Sequence, residues 1–577
     1  MKTLRQYRTF LGWLMTGLMA LWLPGQSLQA ATLTWINGSS TWDTTNLFWN
    51  PGAVAWNNAA LDTALFGTPA GAETVTLGTG ITTGGLIFNN ATAAGYTLTG
   101  NTLTLSPATG VVSPSIAVNN LGFGTNRATI ASILAGTSGF TKTGNGTLRL
   151  TADNSATLSG DVAIKGGNVV ITNANQLGST TGTAISVTGI ANTTGGAGGT
   201  GFTGGALVLQ GSSVSAGSTA GITLDRELSL AGRGPGANNL TGALVSIGYN
   251  TLAGGLTIAS PATESRAWAS HGTTTVSGPV FFGTGAGQIL SGNGNWNISG
   301  LVSGVDTAGD RLIKGVALVG TTMWLQNANN NFAQTTRIDG GTVRVAVNGA
   351  LGINTGTGQV DLNNGTLEVR TDAASGFAGR NIRVRNNVTG TFFVDRNLSG
   401  PLSLGSGSLQ NQTVTFGSLI RDTGANNTNF TFNGRNGYNT FTSSATPAAG
   451  DYRSITITNS SSGTVTLAGG NVWNANNATA GTYTVTGGGE TIINGAVVAT
   501  AAANALTKTN SGTFTLGSTA ATTSTFTGNA NINDGTLAIR SVNALNPTSA
   551  SAGRVVFGNG ALSFLGAEST GAGETWT

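Results

Sequence analysis

The 577-residue chain carries 91 Gly, 11 Pro and no Cys, and only 8% of its residues are charged. The missing cysteines exclude a disulfide framework, thiolate zinc sites and cysteine catalysis. A single histidine, His271, excludes any site built on two imidazoles, and 39% hydrophobic residues exclude a charge-solvated disordered chain.

In chain order, Lys2, Arg5 and Arg8 precede an uncharged apolar run from Phe10 to Leu23, which Pro24 and Gly25 close before the small residues Ala30 and Ala31. This is the order of a secretory signal peptide. The run is shorter than the ~20 residues that span a bilayer, so residues 1–30 are expected to be cleaved and the rest secreted or displayed at the cell surface. Three of the 25 bases and none of the 21 acids lie in that segment. The remainder is nearly neutral, and a nucleic-acid partner loses its support.

Residues 31–110 form a Trp-rich N-terminal region. Trp35, Trp42, Trp49 and Trp56 are seven apart, but their Asn, Gly, Ser, Thr and Pro51 neighbours rule out a helical stripe. Two roles suit them: a cap whose indoles close the open end of a stacked core, or an aromatic platform for glycan rings.

Residues 111–577 read as a repeat region, and the whole mature chain reads as all-β. Short alternating or β-branched runs recur at 74–77, 96–105, 168–172, 342–347, 366–370, 454–458 and 482–486, mostly bounded by Gly, Asn or Asp. Three segments align. The first holds Lys142, Gly146, Thr147, Gly167 and Leu177; the second Lys314, Gly341 and Leu351; the third Lys508, Gly512, Thr513, Gly535 and Leu545. In each, the Gly before a strand precedes the Leu by ten residues, at 167 to 177, 341 to 351 and 535 to 545. A second Gly-plus-strand element, at Gly365 and Gly560, follows 24 and 25 residues later. A unit this short must stack on its neighbours, and coils of roughly 20–25 residues predict a right-handed parallel β-helix, a solenoid. A row of β-sandwich modules would not produce this echo.

The Lys-Thr-Gly-x-Gly-Thr-Leu segment, the later Gly-Gly-Thr-Val or Asp-Gly-Thr-Leu and the closing Asn-Gln-Leu-Gly or Ala-Leu-Gly resemble the autotransporter-associated β-strand repeat. The resemblance is clear near 140–180, 310–352 and 506–546, and it implies a β-helical passenger exposed outside the cell. The family's C-terminal membrane barrel is not visible before Thr577, nor is a sorting tail. Truncation inside a repeat is therefore expected, and membrane attachment would need a barrel or anchor outside this chain.

No chemistry-bearing motif stands out. Gly196-Ala197-Gly198-Gly199-Thr200-Gly201 matches a dinucleotide fingerprint in letters only, since no strand-to-helix transition surrounds it; it reads as an insertion between coils. His271 reads as a surface residue. The nearest carboxylate groups are Asp306 and Asp310 beside Arg311, and Asp339 with Asp361 about one coil apart. No catalytic residue, cofactor or metal is expected. The predicted role is a structural stalk or adhesin-like passenger that contacts surface glycans or other extracellular proteins through Thr/Asn/Ser faces or loops near 178–205 and 420–450. The alternative is a β-helical polysaccharide-degrading enzyme with clustered carboxylates and a basic partner.

Overall fold

In the computed structural model the described residues run from 30 to 565, apart from internal stretches of which the longest are 189–203 and 397–411. The expected signal segment through residue 29, the Gly196–Gly201 fingerprint, Asp306, Asp310 and the tail from 566 lie outside them. The chain divides into two compact units, residues 1–163 with 175–183, and residues 164–174 with 184–577.

Alternation explains the first unit. Each strand is only a few residues long, so one turn of chain needs three strands and the Gly-rich corners between them. Thr63–Phe66, Glu73–Leu77 and Ile81–Thr83 make one coil; Gly85–Asn90, Tyr96–Gly100 and Leu103–Leu105 make the next. Successive coils pair in parallel, in register. Ala64, Leu86 and Ile116 stack in one column, Val75, Leu98 and Ile130 in a second, and Ile81, Leu103 and Leu134 in a third. All nine side chains are buried, so the three columns meet in one core, and each fully buried aliphatic contributes about 1.5–3 kcal/mol. The run expected as one strand at 96–105 is two, bent at Gly100. That residue sits at φ +95°, and a Cβ there would lie 2.7 Å from the Leu77 carbonyl oxygen.

The second unit repeats this construction over more coils. The strands Thr273–Val276, Asn295–Ile298, Thr322–Leu325, Thr342–Val345, Thr366–Arg370, Thr389–Asp395, Thr428–Gly434, Ile455–Asn459 and Thr482–Thr486 pair consecutively and in parallel. Val343, Leu367, Phe392 and Phe432 form an inward column, with the last two rings stacked at 4.7 Å. Thr342, Thr366, Thr391, Thr431, Thr458 and Thr486 form an outward one. Each unit is thus a β-solenoid of stacked parallel coils. Among the described residues there is no α-helix, only three 3₁₀ turns, at Ala174–Leu177, Asn348–Leu351 and Val542–Leu545.

Candidate functional site

The aligned repeat positions have definite structural roles. Leu177, Leu351 and Leu545 each end one of the three 3₁₀ turns and are buried. Gly167, Gly341 and Gly535 have φ of +63°, +64° and +70°, a left-handed conformation that a side chain would strain. Gly146 and Gly512 serve close approach instead: a Cβ would lie 2.6 Å from the Val118 side chain and 2.4 Å from the Gly489 oxygen. Thr147 and Thr513 open the strands Thr147–Leu150 and Thr513–Leu516.

The repeat lysines point inward. Lys142 stands in register with Ile116, Lys314 between Leu290 and Ile338, and Lys508 between Val485 and Ile532. Their relative exposures are 0%, 0% and 2%. Each Nζ donates to the corner that follows its strand. Lys142 bonds the carbonyls of Thr143 at 2.7 Å and Gly144 at 3.0 Å. Lys314 bonds the Thr321 hydroxyl at 3.2 Å, and Lys508 the Thr509 carbonyl at 2.7 Å. Burial pulls Lys142 down to about 7 and Lys314 to about 8. It also lowers Lys508, against a partial counter-pull from Asp534. Room for the ammonium comes from the repeat glycine: a Cβ on Gly341 would lie 3.3 Å from Lys314 Nζ, and one on Gly535 2.7 Å from Lys508 Nζ.

A second set of residues supports the same turns and was not singled out from the sequence. Buried Asn154 accepts from the Leu134 N–H and donates to the Gln176 carbonyl. Buried Asn330 does the same between Val302 and Ala350. Away from these turns, Ser524 likewise accepts from the Val497 N–H through its hydroxyl. Arg380, also buried, donates to the Leu351 and Gly352 carbonyls at 3.0 and 2.8 Å, and burial lowers its pKa to about 10.

The four tryptophans converge. Ring centroids of Trp42–Trp49, Trp42–Trp56 and Trp49–Trp56 lie 4.7–4.9 Å apart, and Trp35–Trp49 lie at 5.2 Å. Trp49–Asn50 pairs antiparallel with Thr32–Trp35 and covers the edge that its parallel partner, Thr63–Phe66, leaves open. All four indoles are buried, so a sugar ring would have to displace protein to reach any of their faces.

Charge is concentrated elsewhere. Seven arginines and five acids fall between residues 335 and 396. On one outer face Arg344 pairs with Glu368 at 2.8 Å, and Arg370 bridges Glu368 at 2.6 Å and Asp395 at 3.1 Å. On another, register places Arg337 opposite Asp361 and Asp361 opposite Arg383. Asp361 accepts from Arg383 Nε at 2.7 Å and Arg385 Nη2 at 3.0 Å. Asp339 accepts from Arg337 and from the Asn363 amide. Asp339 and Asp361, about one coil apart in sequence, thus stand on this one face two residues out of register, each with its own guanidinium. Arg311 begins the strand Arg311–Lys314, and exposed His271 ends Ser265–His271. In the first unit a groove of about 610 Å³ is lined by Thr32, Thr63, Gly85, Ala108, Val111 and Ser115, among others, with no charged side chain in its walls.

No family model and no solved structure matches the chain. In an alignment of 408 residues that covers 66% of the chain, it is 30% identical to the adhesin BmaC autotransporter of Brucella suis biovar 1 (strain 1330). The alignment covers 10% of the relative's length, so the chain spans a small part of the curated protein it matches. Repeat motif, stacked parallel coils and this match together make the chain similar to part of an autotransporter adhesin, with a β-solenoid fold consistent with a passenger domain.

Proposed function

We propose that the chain is an exported, surface-displayed passenger that works as an adhesin-like scaffold and turns over no substrate. The observation that carries this reading is the similarity to part of an autotransporter adhesin, on a solenoid whose outward columns are largely Thr and Asn. Such faces offer hydroxyls and amides at each coil step of ~4.8 Å and suit contact with surface glycans or extracellular proteins. Residues 1–30 supply the export signal, and the tryptophan cluster caps the N-terminal coils. The charged residues fit a scaffold as well. Glu368, Asp395, Asp361 and Asp339 each accept hydrogen bonds from arginine, whereas a general acid needs a proton free to give.

The test is gain of adherence. The full chain, displayed on a non-adherent bacterial host and shown by protease accessibility to be outside, is expected to raise attachment to epithelial cells several-fold over the empty host. Surface display without any gain would overturn the reading. Release of reducing ends from a polysaccharide panel by the purified full chain would replace it with the enzyme.

A further inference from the structure

For most of the second unit the outward strand positions hold half-buried Thr and Asn, as at Thr273, Asn297, Thr431, Asn433, Thr458 and Thr486. Over four successive coils this changes. Trp324, Arg344, Glu368 and Phe393 occupy one outward column in register, and Arg370 and Asp395 occupy the next. Stability gives no reason for the change, because apolar side chains of similar volume commonly serve as well as a buried ion pair. These side chains also point away from the core.

Three properties of the patch point to a ligand. Half-buried rings stand at its two ends, three coil steps or roughly 14 Å apart. The floor between them consists of planar guanidinium–carboxylate pairs, Arg344–Glu368–Arg370–Asp395, whose charges sum to zero. Two donors in it have no hydrogen-bond partner, the Trp324 indole N–H and Arg370 Nη2. Arg370 is only 3% exposed, so its orphaned donor carries the full desolvation penalty until something accepts from it.

We infer that the outer face between Trp324 and Phe393 binds a neutral oligosaccharide, about three sugar rings long, lying along the direction in which the coils stack. A pyranose offers its C–H face to an aromatic ring, and its hydroxyls both accept and donate. One ligand can therefore accept from the orphaned N–H groups and donate to carboxylate lone pairs that the ion pairs leave over. An anion would face Glu368 and Asp395, and a cation Arg344 and Arg370. The neighbouring outward column, Thr342, Thr366 and Thr391, adds three hydroxyls in register alongside. Arg435 is the cover. It is exposed, and its guanidinium lies 5.5 Å from the Phe393 centroid, with that of Arg370 at 5.3 Å from the same ring. Its swing would free the Phe393 ring from this contact. The inference deepens the adhesin-like reading and rests on it for its role in the cell, though not for its chemistry.

The experiment titrates the full chain with chitotriose, cellotriose, maltotriose and mannotriose, and with a heparin fragment as the anionic control. At least one neutral trisaccharide should bind. Trp324→Ala and Phe393→Ala should each weaken it about tenfold, Trp324→Phe, which keeps a ring but loses the indole N–H, should weaken it less than Trp324→Ala does, and Arg435→Ala should bind at least as tightly as the parent. Denaturation midpoints of Trp324→Ala and Phe393→Ala measured beside the parent separate lost binding from lost fold, and Arg435→Ala, at an exposed residue, reads binding with the fold intact. The inference is overturned if no neutral trisaccharide binds, if the alanine variants bind like the parent, or if the heparin fragment is preferred. Adherence retained without sugar binding sinks this inference alone; sugar binding retained without adherence sinks the adhesin-like reading.

Discussion

Lys142→Met tests the inward lysine most directly. The methionine fills a similar volume but brings neither charge nor donor. In the parent, burial lowers the folded-state pKa from 10.5 to about 7. Below about 7 both folded and unfolded chains hold the proton, and the buried charge is a constant burden. Between about 7 and 10.5 unfolding takes up a proton, so stability rises with pH, by up to ~1.4 kcal/mol per unit for one group. The two carbonyl bonds, at 2.7 and 3.0 Å, return part of the desolvation penalty, which is several kcal/mol for a buried ion. At pH 6 the methionine variant should therefore be at least as stable as the parent. At pH 10 it should be less stable by about 1–3 kcal/mol, because the Thr143 and Gly144 carbonyls lose their donor. Guanidinium melts of both proteins across this range give the difference directly, since Lys314 and Lys508 titrate in both. A pH-independent difference refutes the reasoning. So does a variant that loses more stability at pH 6 than at pH 10, which would mean that the carbonyl cage outweighs desolvation.

Four further outcomes follow from particular contacts. Gly535→Ala puts a Cβ 2.2 Å from the Asn510 oxygen at φ +70°; melts should show a loss of more than ~1 kcal/mol. Asn330→Ala removes a buried partner from Val302 N–H and the Ala350 carbonyl; it should cost about 1–3 kcal/mol and raise amide exchange at Val302. Trp49→Ala should cost about 3–5 kcal/mol, with proteolysis starting in the N-terminal coils. Glu368→Gln leaves Arg344 and Arg370 facing a neutral amide and should cost about 3–5 kcal/mol, whereas Arg344→Met with Glu368→Leu should recover most of it.

Much of the fold was legible because its causes are local. The ten-residue interval between repeat Gly and Leu is the length of one short strand plus one 3₁₀ turn. The letters survive because left-handed glycine and a turn-ending leucine have few substitutes. The role of the lysine was not legible, because inward and outward alternate residue by residue, and only register with Ile116 or Leu290 decides which way it points. Asn154, Asn330 and Ser524 escaped for a different reason. Asn and Ser can both accept from an N–H, so the shared role leaves no shared letter. Asp339 and Asp361 show the converse: a spacing near one coil is legible in the sequence, whereas the two-residue offset that sets Arg337 against Asp361 is not.

These polar residues also bear on how a repetitive chain finds one register. An apolar column of Leu, Ile, Val and Phe holds any coil that presents an apolar residue, so it resists a slip by one whole coil only weakly. Asn330 is different, since it needs the Val302 N–H on one side and the Ala350 carbonyl on the other. Arg380 needs the two carbonyls that end the turn at Leu351. A slipped coil would bury these groups without partners, at about 1–3 kcal/mol each and more for a charge. The ladder from Arg337 to Asp395 extends the same logic, because neighbouring coils there alternate in sign, and moving one coil would set like charges together. The scarce charge of this sequence is thus used where partners must be unique, while the hydroxyl and amide surface carries solubility.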